Sequence, residues 1–304
     1  MCAEKMHADE VHTDDALVRR LLAGQFPQWA ELPIERIASS GTDHAIYRLG
    51  HDMAVRLPRI HWATGQVEKD TRWLPKLAPH LPLAIPVPLA KGSPAEGYPW
   101  YWSVVPWLEG EAWTTDGVDD LHQAAIALAQ FIIALQRIDT TSGPRGGRSN
   151  FYRGVPLSMR DADMRAQIAA SGDMVDADAM IEAWEAALAT PAWDGPPVWL
   201  HGDLGRPGNL LVAEGRLSAV IDFGCLGVGD PACDLAAAWA LFSGESRDVF
   251  RVALPFDDAT WARARGWALT RVGAIPYYRE TNAPIVAEAL HAIEEVLADP
   301  DMRG

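Results

Sequence analysis

Three polar residues stand close together in the stretch VWLHGDLGRPGNLLVAEGRLSAVIDFG, which runs from Val198 to Gly224. Asp203 follows His201-Gly202, Asn209 follows six positions later, and Asp222 opens Asp222-Phe223-Gly224. Each has a task in phosphoryl transfer. Asp203 can accept the proton of an attacking hydroxyl, while Asn209 and Asp222 offer the hard oxygen donors that hold magnesium against nucleotide phosphates. Val198-Trp199-Leu200 reads as a short strand feeding the loop. Asn209–Val212 and Leu217–Asp222 read as two strands joined at Ala213-Glu214-Gly215, a glycine-containing hairpin connection. Leu217, Ala219 and Ile221 alternate with Ser218, Val220 and Asp222, so a carboxylate ends an apolar strand.

HGD, then Asn209, then IDFG and GDPxxDL resemble the aminoglycoside phosphotransferase family, whose fold is protein-kinase-like and shared with choline kinases. The likeness runs from about Ile34 to about Asp299 and is nearest the bacterial antibiotic-kinase branch. It implies an α+β chain with a bilobal protein-kinase-like fold: a small β-rich N-lobe, residues 1–110, and a larger, mainly helical C-lobe, residues 111–304. One feature departs from the pattern. The family separates its catalytic Asp from the Asn by four residues, and here Leu204-Gly205-Arg206-Pro207-Gly208 makes five. The added residue either bulges outward, leaving Asn209 facing the metal, or displaces Asn209; two glycines make the loop pliable. Arg206 stands where the family often has His, and either touches a phosphate or sits in solvent.

The resemblance places the nucleotide among the N-terminal elements. A strand, the turn Ser39-Ser40-Gly41-Thr42 and a second strand would cover phosphates with backbone N–H groups, through Ser40, Gly41 and Thr42. With a single glycine, that turn alone fits any hairpin. Met53–Pro58 is a strand carrying Arg56 at the place of the family's phosphate-contacting lysine. Arginine keeps the charge and can grip phosphate in a bidentate fashion, but it is bulkier. On the following helix, Gly65–Leu77, Glu68 and Asp70 are candidate partners for Arg56, and the resemblance favours Asp70. Trp100–Trp107 is the expected last strand of the N-lobe. Pro106-Trp107-Leu108 would follow as a hinge meeting adenine through backbone groups, chiefly at Pro106 and Leu108.

Helical periodicity marks Asp14–Gln25, Asp119–Ile138, a buried alanine-rich Asp234–Phe242, Asp258–Val272 and Asn282–Leu297, the last with Pro284 in its first turn. Asp230 and Asp234 are expected to tie down the loop after Asp222-Phe223-Gly224 and to cap a helix. Among thirteen tryptophans, Trp184, Trp239 and Trp261 suit packing, and Trp267, Tyr277 and Tyr278 are either core or acceptor-cleft residues.

A formal charge of −15 argues against nucleic acid and anionic membrane surfaces as partners. Cys2, Cys225 and Cys233 give neither a disulfide framework nor zinc-binding spacing. No apolar run reaches membrane-spanning length, and the N-terminus lacks a signal-peptide core. The expectation is a cytoplasmic kinase, monomer or dimer, that uses ATP and Mg2+ to phosphorylate a small hydroxylated molecule. An aminoglycoside-type antibiotic is first in line, with a cleft of Asp161, Asp163, Asp176, Glu182 or Glu280 for its positive charge. A macrolide, an amino alcohol or a sugar is the alternative acceptor, and a nucleotide-binding pseudokinase the alternative without turnover.

Overall fold

Asp14 begins the first helix, α1 (Asp15–Gln25), by accepting a hydrogen bond from Leu17 N at 2.7 Å, which satisfies one of the donors a helix start leaves unpaired. The computed structural model describes residues 7, 9–37 and 41–299. Among them the chain forms two units. The first comprises the chain up to Pro79, Ala84–Glu109 and Ala219–Gly224; the second comprises His80–Leu83, Gly110–Ser218 and the chain from Cys225.

The first unit is built on an antiparallel sheet of β1 (Ile34–Arg36), β2 (His44–Leu49), β3 (Met53–Pro58), β4 (Ala90–Gly92) and β5 (Trp102–Pro106), in the order β1-β2-β3-β5-β4. Period-two alternation sorts β3 into two faces. Val55 and Leu57 join Leu17, Val18, Leu21 and Leu22 of α1, with Tyr47 and Trp102, in one core. That leaves Arg56 on the opposite face. The helix α2 (Gln66–Leu77) buries Gln66, Lys69, Asp70, Trp73 and Leu77. Those positions fall three and four apart and make one stripe. Its C-terminal half is apolar, and its N-terminal half is polar and equally buried.

In the second unit β6 (Glu111–Ala112) leads to α3 (Leu121–Gln136), capped by Asp120. Then come α4 (Asp161–Ser171), α5 (Ala177–Ala189), β7 (Val198–Leu200), β8 (Leu210–Ala213), β9 (Arg216–Val220, whose last two residues belong to the first unit) and β10 (Gly227–Gly229). One sheet has the order β6-β8-β9, and β7 pairs with β10. Glu214 and Gly215, the two residues between β8 and β9, both have positive φ, 50° and 70°, the turn that matches strand twist in tight hairpins. The remaining helices are α6 (Ala232–Leu235), α7 (Ala237–Leu241), α8 (Gly244–Ala253), α9 (Asp258–Leu269), α10 (Ala274–Tyr278) and α11 (Ala283–Ala298). α3 packs on α8, α9 on α5 and α6, and α11 on α7 and α10. Phe242 meets Trp113 and Phe250 edge-on or tilted, and Trp261 meets Trp239.

The single helix expected over Asp234–Phe242 is two short ones. Trp239 N reaches back three residues to Ala236 O at 3.3 Å, so the tighter three-residue turn interrupts the four-residue ladder at Ala236. Helix α9 likewise ends at Leu269, and Thr270–Gly273 continues as a 3-10 turn.

Candidate active site

The loop after β7 is held from beneath by one carboxylate. Asp234 accepts from His201 N at 2.8 Å and Gly202 N at 2.7 Å. Burial pushes the Asp234 carboxyl up, against the lowering influence of His201 and those two amides. His201 is fully buried, and its Nδ1 accepts from Asp203 N at 3.2 Å, so it braces the loop. Gly202 has φ +83°, and a Cβ there would meet Cys225 O at 2.6 Å; only glycine fits both the backbone and the space. Asp230 accepts from Ala232 N at 3.0 Å and takes Arg263 in a paired contact at 2.7 and 3.3 Å.

The five residues between Asp203 and Asn209 are absorbed as two successive turns. Arg206 N donates to Asp203 O at 3.3 Å and Asn209 N to Arg206 O at 3.0 Å. Asn209 Nδ2 then donates to Asp203 O at 2.9 Å and to Asp203 Oδ2 at 3.2 Å. With its amide nitrogen committed to Asp203, Asn209 has its amide oxygen as the remaining donor for a hard cation. Asp203 retains Oδ1, with Arg153 Nη2 at 3.8 Å.

A second group of charges lies within the first unit. Arg56 Nη1 donates to Asp70 Oδ2 at 3.2 Å, and Arg56 Nη2 is 3.8 Å from Asp222 Oδ1. The Arg56 and Asp70 side chains are 10% and 3% exposed, whereas Asp222 is 35% exposed. Asp222 lies two residues beyond β9 with φ +61°, a conformation Asp tolerates better than most residues. The expected strand over Leu217–Asp222 therefore ends at Val220, and a left-handed residue turns the carboxylate out of strand register.

Several members of this group went unmarked in the sequence. His44 Nδ1 is 3.5 Å from Arg56 Nη2. Burial, then the Arg56 cation, lower its pKa to about 3, so the imidazole is neutral and can act as acceptor. Lys69 Nζ donates to Gly224 O and Gln66 Nε2 to Asp43 Oδ2. Burial and the neighbouring Asp222 push Asp43 up, and burial raises Asp70 against the pull of Arg56 and Lys69. The available signal was the helical spacing of Gln66, Lys69 and Asp70, which puts all three on one face.

Ser40 lies outside the described residues. Gly41 precedes Thr42, whose buried hydroxyl donates to Asp43 Oδ1 at 3.2 Å. Pro106 ends β5, Trp107 N donates to Asp52 O at 2.7 Å, and the Arg48 guanidinium lies 4.3 Å above the Trp107 ring. Pro106 and Leu108 are both half-buried. Thus Asp203 and Asn209 meet in one unit, and Arg56, Asp70 and Asp222 meet in the other. Among the described residues no three acids, histidines or cysteines form a metal-holding group.

Comparisons with known proteins bear on this arrangement. Residues 34–267 match the family described as the phosphotransferase enzyme family. No curated protein matches the sequence. The fold is that of the GDP complex of wild-type aminoglycoside 2'-phosphotransferase-IIIa, at 18% identity and TM-score 0.71, covering 94% of this chain and 99% of that one. It is also that of the macrolide 2'-phosphotransferase apoenzyme from Brachybacterium faecium, at 24% identity and TM-score 0.58, covering 91% and 96%. A type I macrolide 2'-phosphotransferase matches at 22% identity and TM-score 0.61, covering 92% and 97%. No helix among the described residues is long and apolar enough to cross a membrane.

Proposed function

From the membership of this chain in the phosphotransferase enzyme family, we propose that it transfers the γ-phosphoryl group of ATP to a hydroxyl of a small molecule. The observation that carries this reading is the pair of bonds from Asn209 to Asp203, which orients a carboxylate and an amide oxygen together despite the lengthened loop. Asp203 receives the hydroxyl proton as the acceptor oxygen approaches phosphorus. Its ordinary carboxylate chemistry suffices, because positioning supplies much of the rate.

Asn209 in the second unit and the partly exposed Asp222 in the first each carry an oxygen donor of the kind magnesium takes alongside phosphates. When bound, Mg-ATP supplies the phosphoryl group and offsets charge on its phosphates. Arg56, held by Asp70, presents a guanidinium to the α- and β-phosphates, and Gly41 and Thr42 line the covering turn. Pro106 and Leu108 meet the adenine, since Trp107 N is engaged by Asp52. GDP and ADP complexes among the structural neighbours support a nucleotide in this role. ATP is the phosphoryl donor in this proposal. A chain that consumes Mg-ATP works in the cytoplasm.

Antibiotic acceptors come to this chain from those neighbours, which include a kanamycin complex and a gentamicin complex. The test is an ADP-release assay with Mg-ATP against aminoglycosides, macrolides, amino alcohols and simple sugars, run beside Asp203→Ala. Turnover that vanishes in Asp203→Ala while Mg-ADP binding persists supports the reading; turnover retained in that variant refutes the role of Asp203.

A further inference from the structure

Arginines gather around Asp203 in the second unit. Arg153 lies 3.8 Å from Asp203 Oδ1 and donates to Thr270 Oγ1 at 3.4 Å. Arg206 Nε and Arg271 Nη2 lie 3.8 and 3.6 Å from one atom, Glu288 Oε2. Arg271 lies against the catalytic loop, for a Cβ on Gly205 would come within 3.2 Å of its Nη1. Burial pushes the Arg271 guanidinium below its ordinary value; Arg206 and Arg153 act the same way, and Asp203 and Glu288 oppose them.

Three cations thus face two carboxylates in a chain whose formal charge is −15. The ion pairs are loose. A guanidinium that meets its intended carboxylate closes to about 2.7–2.9 Å and uses two donors, and none of these contacts does so. Among the described residues Arg153 Nε and Arg271 Nε are buried with no hydrogen-bond partner, as is Glu288 Oε2. A buried donor left unmet costs stability, and the fold retains two of them beside the proposed base. Meanwhile three of the five acids expected to welcome a polycation are otherwise engaged. Asp161 takes Arg165 and Trp184, Asp163 takes Arg160, and Asp176 caps α5.

We propose that Arg153 and Arg271 bind an oxyanion, a carboxylate or phosphate carried by the acceptor close to the hydroxyl that reacts. The acceptor is then a hydroxy acid or a phosphorylated alcohol rather than a polycation. This rests on the phosphotransferase reading. Asp203 takes the hydroxyl proton, the acceptor oxygen bonds to phosphorus, and the bond from phosphorus to the β–γ bridging oxygen breaks to leave ADP. An oxyanion could also come from the nucleotide's own γ-phosphate, so the experiment must separate the two sources.

Inorganic phosphate is titrated calorimetrically into the protein saturated with Mg-ADP, and again with the magnesium complex of the non-hydrolysable β,γ-imido analogue of ATP, which fills the γ position. Saturable phosphate binding in both states is expected. It should weaken by about tenfold or more in Arg153→Gln and Arg271→Gln, and less in Arg271→Lys, which keeps a charge but loses the fork. Thermal unfolding of each variant checks that it is folded, and Arg271→Lys carries the test should a Gln variant fail to fold. Nucleotide affinity should stay within about twofold throughout, well under the factor of ten that a lost charged contact costs. Binding seen with Mg-ADP and abolished by the imido analogue would assign the arginines to the γ-phosphate and overturn the proposal. So would absent phosphate binding, or binding unchanged in the Gln variants. Failure of Mg-ADP itself to bind would instead strike the phosphotransferase reading. With turnover as readout, glycerate should outperform glycerol and 2-aminoethanol; preference for the aminoalcohol or for kanamycin would contradict an anionic acceptor.

Discussion

Replacing Asp70 with Ala isolates the buried pair that holds Arg56. In the wild type the two charges are 3.2 Å apart with side chains 10% and 3% exposed. Breaking such a pair from one side costs about 3–5 kcal/mol, because the surviving charge stays buried without its partner. Here Asp222, 3.8 Å from the same guanidinium, offers partial compensation. At an effective dielectric of about 20 the gross attractions at these two distances are roughly 5 and 4 kcal/mol. Neutral His44 adds an acceptor and no charge. Asp70→Ala should therefore cost about 3 kcal/mol, the low end of the range. The double variant Arg56→Met/Asp70→Leu replaces the pair by apolar groups of similar volume and should lie within about 1 kcal/mol of wild type. Urea unfolding followed by tryptophan fluorescence gives both numbers, and the coupling between the sites follows from the cycle. Calorimetry with Mg-ADP should show a loss of about tenfold or more in the double variant, since the cation proposed to face the phosphates is gone. A single-variant cost below about 1 kcal/mol, or a double variant as unstable as the sum of the singles, would refute the buried-pair account.

Three further outcomes are expected. Gly202→Ala combines a positive φ with a Cβ 2.6 Å from Cys225 O; it should destabilise by more than about 2 kcal/mol and abolish turnover, seen in melting and ADP release. Asp222→Asn keeps a residue type that accepts φ +61°, so stability should change by less than about 0.5 kcal/mol while the magnesium needed for half-maximal nucleotide binding rises about tenfold. His44 stays neutral in the fold down to about pH 3, while the unfolded chain protonates it near its ordinary value of 6.5. Between those values the unfolded state binds more protons, so stability falls as pH falls through the window. His44→Gln should flatten that loss across an acid titration of urea midpoints, and an unchanged slope would contradict it.

Local rules carried much of the architecture. The caps at Asp14, Asp120 and Asn282 are side-chain oxygens before periodic apolar runs. The Glu214-Gly215 hairpin declares itself through its glycine. Glu68 and Asp70 could be proposed as partners for Arg56 because a strand and the next helix are near neighbours along the chain, and the family resemblance favoured Asp70. What escaped depends on long-range assembly. Arg153 and Arg271 come from a loop and a 3-10 turn more than a hundred positions apart, and neither breaks its local pattern. The neutrality of His44 follows from burial and the Arg56 charge, neither of which its place in the sequence reveals. The break at Ala236 is invisible to periodicity, since every residue of that alanine-rich run is apolar whichever way the helix turns.

The two turns between Asp203 and Asn209 have a bearing on how such enzymes can be found in genomes. Each turn advances the chain by three residues, so a separation of six is a whole number of turns, and the side chain of Asn209 returns to Asp203. A search pattern with a rigid gap would discard this chain as degenerate. An insertion here is instead a change of winding, and length variants of the loop belong among candidates for active catalysts wherever the added residue completes a turn.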